Sequence, residues 1–250
     1  MATTQAVPQP TAFDHLASKL RGYVVLTKPE VNLLIIMTTS AGYYLGAQTA
    51  VRLAGMLHTV LGTLLVASGT ATFNQFMERH WDAAMRRTAS RPIPSGRIGA
   101  REAFWFASGL SLAGGVYLWF AVNPLTSLLA SFTLLSYLLV YTPLKRITSL
   151  CTLIGAIPGA MPALIGWAGA ANSISPRTLM LGGILFLWQF PHFLAIALMY
   201  REDYARAGYR MLPAFDVEGR FTRREIAVFS LGLIALTLLP ELTGNPGKLY

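Results

Sequence analysis

The sequence predicts an all-α fold, a polytopic transmembrane helical bundle with about seven spans. Of the 250 residues, 54% are hydrophobic and only 12% are charged, whereas about a quarter of the residues in a typical soluble domain are charged. Several uninterrupted apolar runs approach or exceed the ~18 to 20 residues that a helix needs to cross the hydrocarbon core. The runs are continuous, unlike the alternating segments of about ten residues that form membrane β-barrels. We therefore expect one integral membrane domain surrounded by the lipid bilayer.

The first span is expected near residues 24–46. Residues 1–22 lack the basic-then-apolar order of a cleaved signal peptide, so they are interpreted as a polar cytoplasmic tail, with the transmembrane domain at 23–250. Apolar runs place the other spans near 53–76, 103–121, 124–141, 149–170, 178–199 and 225–242. The final stretch, LLPELTGNPGKLY, is expected to lie in an outer loop. This position predicts a chain that is truncated at its C-terminus.

Lysine and arginine residues are distributed unequally between the two sides of the predicted bundle. Most of them follow the second, fourth and sixth spans or precede the first, whereas Arg52, Arg177 and Lys248 fall on the other side. The positive-inside rule makes the basic side cytoplasmic. The net charge of +9 is therefore expected to record topology, and we expect no nucleic-acid partner. The single cysteine, Cys151, excludes an internal disulfide and a multi-cysteine metal site.

Asn74, Glu78 and Asp82 recur at intervals of four residues, so a helix places them on one face. Two carboxylates about 6 Å apart repel by roughly 3 kcal/mol at an effective dielectric constant near 20, which calls for a nearby cation. Hard oxygen ligands with open coordination positions suit Mg²⁺, which is commonly shared with substrate phosphates. The alternative is pairing with neighbouring arginines at the membrane surface, namely Arg79, Arg86 or Arg87. Spacing alone favours neither interpretation.

A second polar stretch, YREDYARAGYRMLP at 200–213, also ends a long apolar run on the basic side. Asp203 lies eleven residues after His192, so the two share a face if the helix is continuous, with His192 about 16 Å deeper in the membrane. An intramembrane histidine is by default a functional candidate. The competing interpretation is that His192 pairs with a carbonyl freed by Pro191.

Basic residues near the two acidic stretches are candidate donors to a bound anion, although membrane topology explains most of them equally well. These candidates are Arg87, Arg91, Lys145, Arg146 and Arg201. Arg91 precedes the turn PIPSG, which fixes its backbone and favours a specific role. Lys28 precedes Pro29 at the mouth of the first span, where anchoring to lipid headgroups is the default interpretation and phosphate binding the alternative.

Two acidic clusters with basic neighbours and an apolar interior suit a diphosphate that carries a long hydrocarbon tail. Here the sequence resembles the UbiA-type intramembrane prenyltransferases, and within them the haem-farnesylating branch. The resemblance extends in order along nearly the whole chain from about residue 23. It is carried by LTKPEVNLL (26–34), NQFMERHWDAAMRRTASRP (74–92), YTPLKR (141–146), IGWAGA (165–170), WQFPHF (188–193) and YREDYARAGYRMLP (200–213).

The resemblance implies a nine-helix fold in a bacterial inner membrane, with the active-site loops on the cytoplasmic side. It implies that farnesyl diphosphate and haem B give haem O and diphosphate with Mg²⁺ as cofactor, and it makes haem A synthase a candidate partner. The residues it assigns to the metal–diphosphate end are Asn74, Glu78, Asp82 and Asp203. Those it assigns to substrate binding are Lys28, Arg87, Arg91, Lys145, Arg146, His192, Tyr200, Arg201 and Tyr204.

Two other functions are weighed against this resemblance. Tyr200 stands where the general superfamily pattern has an acidic residue, and a prenyltransferase for aromatic acceptors would want acidic residues at both Tyr200 and Tyr204. A transporter or channel would need charges near mid-bilayer on several helices and an inverted repeat of broken spans. Most charges here cluster at one face of the membrane, which favours chemistry at a cytoplasmic mouth.

Overall fold

The computed structural model describes residues 11–47, 50–216 and 218–242, and this part of the chain is helical throughout, without strands. The long helices are α1 (Ala12–Leu26), α2 (Pro29–Gly46), α3 (Leu53–Asp82), α4 (Ala100–Ala121), α5 (Pro124–Leu135), α7 (Cys151–Ala171), α8 (Pro176–Met199) and α11 (Arg220–Leu242). The short elements are a π-helical turn (Ser136–Tyr141), α6 (Thr142–Leu144), α9 (Arg201–Arg206) and α10 (Leu212–Phe215). The predicted fold class, an all-α transmembrane bundle, is confirmed.

Five helical segments among the described residues are long and apolar enough to cross a membrane, by length and composition. They are Leu53–Asp82, Ala100–Ala121, Pro124–Leu144, Cys151–Ala171 and Pro176–Met199. Helices α2 and α11 occupy the positions of the first and last predicted spans. The sequence predicted about seven spans, and five of the described segments meet this criterion of length and composition.

The start of the first predicted span differs from the structure. Residues 24–46 do not form one helix, because the chain breaks at Lys28, whose φ of 52° is left-handed. Pro29 disfavours the right-handed helical conformation in the residue before it, so α2 begins at Pro29. The residues before the break form α1, which starts with a capping box between Thr11 and Asp14. Interpreting residues 1–22 as a polar tail did not anticipate this helix.

Close approach of α2 and α7 requires glycine. A Cβ atom on Gly42 would lie 2.2 Å from the carbonyl oxygen of Ala163, and one on Gly166 would lie 2.0 Å from that of Thr39. Small residues let membrane helices pack at short distance, where dispersion and backbone contacts hold them together. The backbones of the two helices are therefore in direct contact at these positions.

Alternating helix directions bring four connecting segments to the same end of the bundle. These are the α1–α2 junction at 27–28, residues 83–99 after α3, residues 145–150 after α6 and residues 200–219 after α8. Hydrogen bonds join three of them: the backbone N–H groups of Arg86 and Arg87 donate to Asp203, and that of Arg210 donates to the carbonyl of Lys145 at 2.8 Å. Lys28 at the α1–α2 junction reaches Asn74 on α3. The basic side predicted from the sequence is thus a single assembled surface.

Candidate active site at the polar end of the bundle

A cavity of about 160 Å³ opens at this polar end. Helix α3 supplies one wall because it continues without a break to Asp82, so the four-residue spacing stays in register. Asn74, Glu78 and Asp82 all line the cavity and are 2%, 6% and 0% exposed. The Asn74 Nδ2 atom donates to Glu78 Oε2 at 2.9 Å. The structure thus places the predicted triad on one buried face.

Cations from outside α3 neutralise the two carboxylates. Lys145 Nζ lies 2.8 Å from Glu78 Oε1, and Arg91 Nη1 lies 2.6 Å from Asp82 Oδ2. Each buried charge therefore has a partner that offsets part of its desolvation cost. The alternative pairing with Arg79, Arg86 or Arg87 is not what the structure shows. Arg79 instead donates to the carbonyl of Phe76 one turn earlier.

Lys28 also faces the cavity, so lipid anchoring does not describe its position. Its Nζ atom donates to Asn74 Oδ1 at 3.1 Å. Burial, together with the positive charges of Arg91 and Lys145, lowers the pKa of Lys28 to about 7. Because desolvation and like charges disfavour the ammonium form, an anion in the cavity would restore its charge.

A π-helical turn presents aromatic residues to the same cavity. Pro143 lacks a backbone N–H, and the Thr142 hydroxyl donates to the carbonyl of Tyr137 at 2.9 Å. Tyr137 and Tyr141 then line the cavity, and Lys145 Nζ lies 5.9 Å and 4.6 Å from their ring centroids. Sequence reasoning missed both tyrosines. The sequence signal was Pro143, which follows Tyr141 by two residues and disturbs the helix there. Such π-helical turns are frequent at functional sites.

The second polar stretch is arranged differently from its prediction. Helix α8 ends at Met199, Tyr200 has non-helical angles (φ −106°, ψ 25°), and α9 starts at Arg201. The Asp203 carboxylate accepts the backbone N–H groups of Arg86 and Arg87, each at 3.4 Å, and pairs with Arg206 at 2.9 Å. Asp203 is not part of the cavity wall. It links α9 to the segment after α3.

His192 does not share a face with Asp203, because the helix is interrupted at Tyr200. Its side chain is exposed on α8, and its ring stacks on Trp188 with centroids 4.7 Å apart. The structure therefore does not bring His192 to the cavity. The four-residue separation of Trp188 and His192 explains the stacking, since such pairs are neighbours on a helix.

The remaining predicted substrate-binding residues divide into two groups. Tyr204 and Arg87 line the cavity, and the Arg87 guanidinium lies 5.0 Å from the ring centroid of Tyr200. Arg146 and Arg201 are exposed outside it. The Arg146 guanidinium lies 4.0 Å from a ring centroid of Trp81. Tyr209, which the sequence did not single out, lies in the cavity wall beside Tyr204.

The donor set fits a hard divalent cation that is shared with a ligand. Asp82 Oδ1 is buried and has no hydrogen-bond partner among the described residues. Asn74 and Glu78 add further oxygen ligands of the type that Mg²⁺ prefers. No group of three or more histidine, cysteine, aspartate or glutamate residues in the described part could hold a metal ion by itself. A metal here would therefore need additional oxygens, as a diphosphate provides.

Comparison with known proteins places the chain in a family. The UbiA prenyltransferase family matches residues 35–250. The protoheme IX farnesyltransferase of Solibacter usitatus is 50% identical to the chain, covering 92% of the chain and 82% of that protein. The protein of the same name from Koribacter versatilis is 43% identical, covering 98% and 79%.

Solved structures share the fold at low sequence identity. A digeranylgeranylglyceryl phosphate synthase superimposes with a TM-score of 0.73 at 19% identity, covering 91% of the chain and 79% of that protein. A UbiA homolog from Archaeoglobus fulgidus bound to GPP and Mg²⁺ has a TM-score of 0.68 at 17% identity, covering 86% and 76%. These likenesses establish the fold of the bundle.

Proposed function

We propose a reaction for this chain on the premise that it belongs to the UbiA prenyltransferase family. The protein is an integral membrane enzyme that transfers a farnesyl group from farnesyl diphosphate to a vinyl group of haem B, giving haem O and diphosphate. One observation carries the assignment: a buried cavity at the polar end of an apolar bundle holds two neutralised carboxylates among several cations. The relatives that match nearly the whole chain carry the name of this reaction.

The diphosphate end lies between α3 and the cations that face it. Arg87, Arg91, Lys145 and Lys28 all line the cavity and donate to diphosphate oxygens. Charge-assisted donors placed before the reaction stabilise negative charge as it develops on the leaving group. Such stabilisation is greater in the transition state than in the bound substrate, so it accelerates the reaction.

Asn74, Glu78 and Asp82 would hold Mg²⁺ together with the substrate, whereas Asp203 contacts the segment after α3 instead. When bound, the metal neutralises negative charge on the phosphate oxygens. The unpartnered Asp82 Oδ1 atom supports this assignment. The Asp203 contacts to Arg86 and Arg87 support a role in fixing Arg87 at the cavity.

The bond changes follow from the two substrates. The allylic C–O bond of farnesyl diphosphate breaks with its electron pair leaving on diphosphate, and the haem vinyl group attacks the allylic cation to form the new C–C bond. Water then adds to the cation left on the vinyl group, giving the hydroxyl of haem O and releasing one proton. The aromatic rings of Tyr137, Tyr141 and Tyr204 line the cavity in which positive charge develops on the allylic carbon. An aromatic face attracts a cation through its quadrupole.

The polar end is assigned to the cytoplasmic side of a bacterial inner membrane. The concentration of basic residues in the segments after α3, α6 and α8 supports this orientation. Farnesyl diphosphate and haem B then enter from the same side of the membrane. Haem A synthase is a candidate partner because it would use haem O as its substrate.

The test is incubation of the purified full-length protein in lipid with haem B, Mg²⁺ and farnesyl diphosphate, with the haem product read by mass. We expect a product heavier than haem B by one farnesyl group and one hydroxyl group. A phenolic acid replaces haem B in a parallel reaction. Prenylation of the phenolic acid without haem O formation would contradict the proposed acceptor.

A further inference from the structure

Tyr209 is a buried residue of the cavity wall with no role in the reaction described above. Its side chain is 4% exposed and packs in a small apolar cluster with Met85, Cys151 and Met211. The ring also meets Tyr204 edge-on, with centroids 5.9 Å apart. The ring therefore has ample apolar contacts, whereas its hydroxyl group needs a separate explanation.

The Tyr209 hydroxyl is buried and lacks a hydrogen-bond partner of good geometry among the described residues. It lies near the Glu78 carboxylate, whose oxygens accept from Asn74 and Lys145, but it forms no hydrogen bond of good geometry with that group. A buried hydroxyl without a partner is costly, because its water contacts are lost and not replaced. An unpaired hydroxyl group in a cavity wall is explained if a bound ligand accepts its hydrogen bond.

Backbone contacts hold Tyr209 at this position. Gly208 adopts a left-handed conformation (φ 71°) that turns the chain after α9. The N–H of Tyr209 then donates to the carbonyl of Tyr204 at 2.9 Å, and the N–H of Arg210 donates to the carbonyl of Lys145 at 2.8 Å. One short segment thus fixes the tyrosine relative to Lys145, a cation assigned to the diphosphate.

From this arrangement we infer that the Tyr209 hydroxyl donates a hydrogen bond to a diphosphate oxygen of the prenyl substrate. The inference rests on the proposed function for the identity of the anion. The phenol keeps its proton throughout and acts by stabilising negative charge on the leaving group. Burial and the nearby negative charge of Glu78 raise the pKa of Tyr209, which keeps it a neutral donor.

Tyr209→Phe removes this hydroxyl and leaves the ring in place. We expect kcat/KM for farnesyl diphosphate to fall about 10- to 100-fold, the range for losing one hydrogen bond to a charged group. The melting temperature of the variant should stay equal or rise, because the lost hydroxyl has no protein partner. Unchanged kcat/KM, or a loss accompanied by a lower melting temperature, would overturn the inference.

Thr39→Val is the matched control. Thr39 is fully buried in α2, its hydroxyl also lacks a partner among the described residues, and it lies outside the cavity wall. We expect its melting temperature to respond as that of Tyr209→Phe does, with kcat/KM unchanged. A loss of activity in both variants would overturn a specific role for Tyr209.

Binding of farnesyl diphosphate with Mg²⁺ and without haem separates this inference from the proposed function. Weaker binding to Tyr209→Phe than to the parent supports the hydroxyl as a diphosphate donor, whatever the acceptor is. A parent that binds farnesyl diphosphate but forms no haem O contradicts the proposed function alone. If Tyr209→Phe instead raises only the Mg²⁺ requirement or the KM for haem B, the hydroxyl serves Glu78 or the acceptor, and the inference fails.

Discussion

The segment that ends α3 and the segment that follows α8 carry similar mixtures of acidic, basic and aromatic residues at the same end of the bundle. Helix α3 runs unbroken to Asp82, so its polar residues stay on one buried face. Helix α8 stops at Met199, and the chain restarts as α9 after Tyr200, whose dihedral angles are not helical. The first segment therefore presents carboxylates to the cavity, whereas the second presents Tyr204 and Tyr209.

This difference shows that residue spacing predicts a shared face only within one continuous helix. A single non-helical residue, Tyr200, breaks the helical register between His192 and Asp203. Asp203 consequently meets backbone N–H groups and His192 stacks on Trp188 at the outer surface. Substitutions in the two segments should therefore have effects of different size and kind.

The largest effect is expected for Asp82→Asn. This change removes a proposed metal ligand and breaks the pair with Arg91, so turnover should fall by about 10²- to 10³-fold or more. The protein should still insert and fold, as judged by its yield and elution profile in detergent. Glu30→Gln, at an exposed carboxylate early in α2, is the control. Full activity in a well-folded Asp82→Asn protein would remove α3 from the metal assignment.

Lys145→Met should lower both stability and activity. Its ammonium neutralises Glu78, and both side chains are largely buried, so loss of one partner leaves an uncompensated carboxylate, at a cost of about 3–5 kcal/mol. Adding Glu78→Gln should recover much of the melting temperature but none of the activity, since both groups serve the substrate. Recovery of activity in the double variant would make the pair structural.

A moderate effect is expected for Asp203→Asn. Weakening its contacts to the segment after α3 should displace Arg87 and lower kcat/KM for farnesyl diphosphate about tenfold. Glu202→Gln, at the exposed neighbouring carboxylate, should leave the kinetics unchanged. A rise in the Mg²⁺ concentration needed for half-maximal activity would place Asp203 among the metal ligands instead.

The smallest effect is expected for His192→Ala. The imidazole is exposed and stacked on Trp188, so both haem binding and turnover should stay within about twofold of the parent. Haem affinity is measured from the absorbance spectrum, with farnesyl diphosphate affinity measured in parallel. A selective loss of haem affinity would show that the outer face of α8 binds the acceptor.

The sequence predicted the fold class and the α3 triad because both depend on local periodicity. Continuous apolar runs specify membrane helices, and the spacing of Asn74, Glu78 and Asp82 specifies one face. The ion pairs of Lys145 and Arg91 depend on long-range packing that spacing does not encode. Of the cavity tyrosines, Tyr204 was predicted, whereas Tyr137, Tyr141 and Tyr209 were missed. Membrane interfaces are generally rich in tyrosine, and a π-turn and a left-handed glycine decide which of them face inward.

The most direct measurement is Mg²⁺-dependent binding of farnesyl diphosphate to Asp82→Asn and Asp203→Asn, each compared with the parent in the same lipid. If α3 holds the metal and its diphosphate, Asp82→Asn loses the increase in affinity that Mg²⁺ gives the parent. Asp203→Asn keeps that increase and binds more weakly at every Mg²⁺ concentration. The opposite pattern, with Mg²⁺ dependence lost in Asp203→Asn and kept in Asp82→Asn, would contradict the division of roles between the two segments.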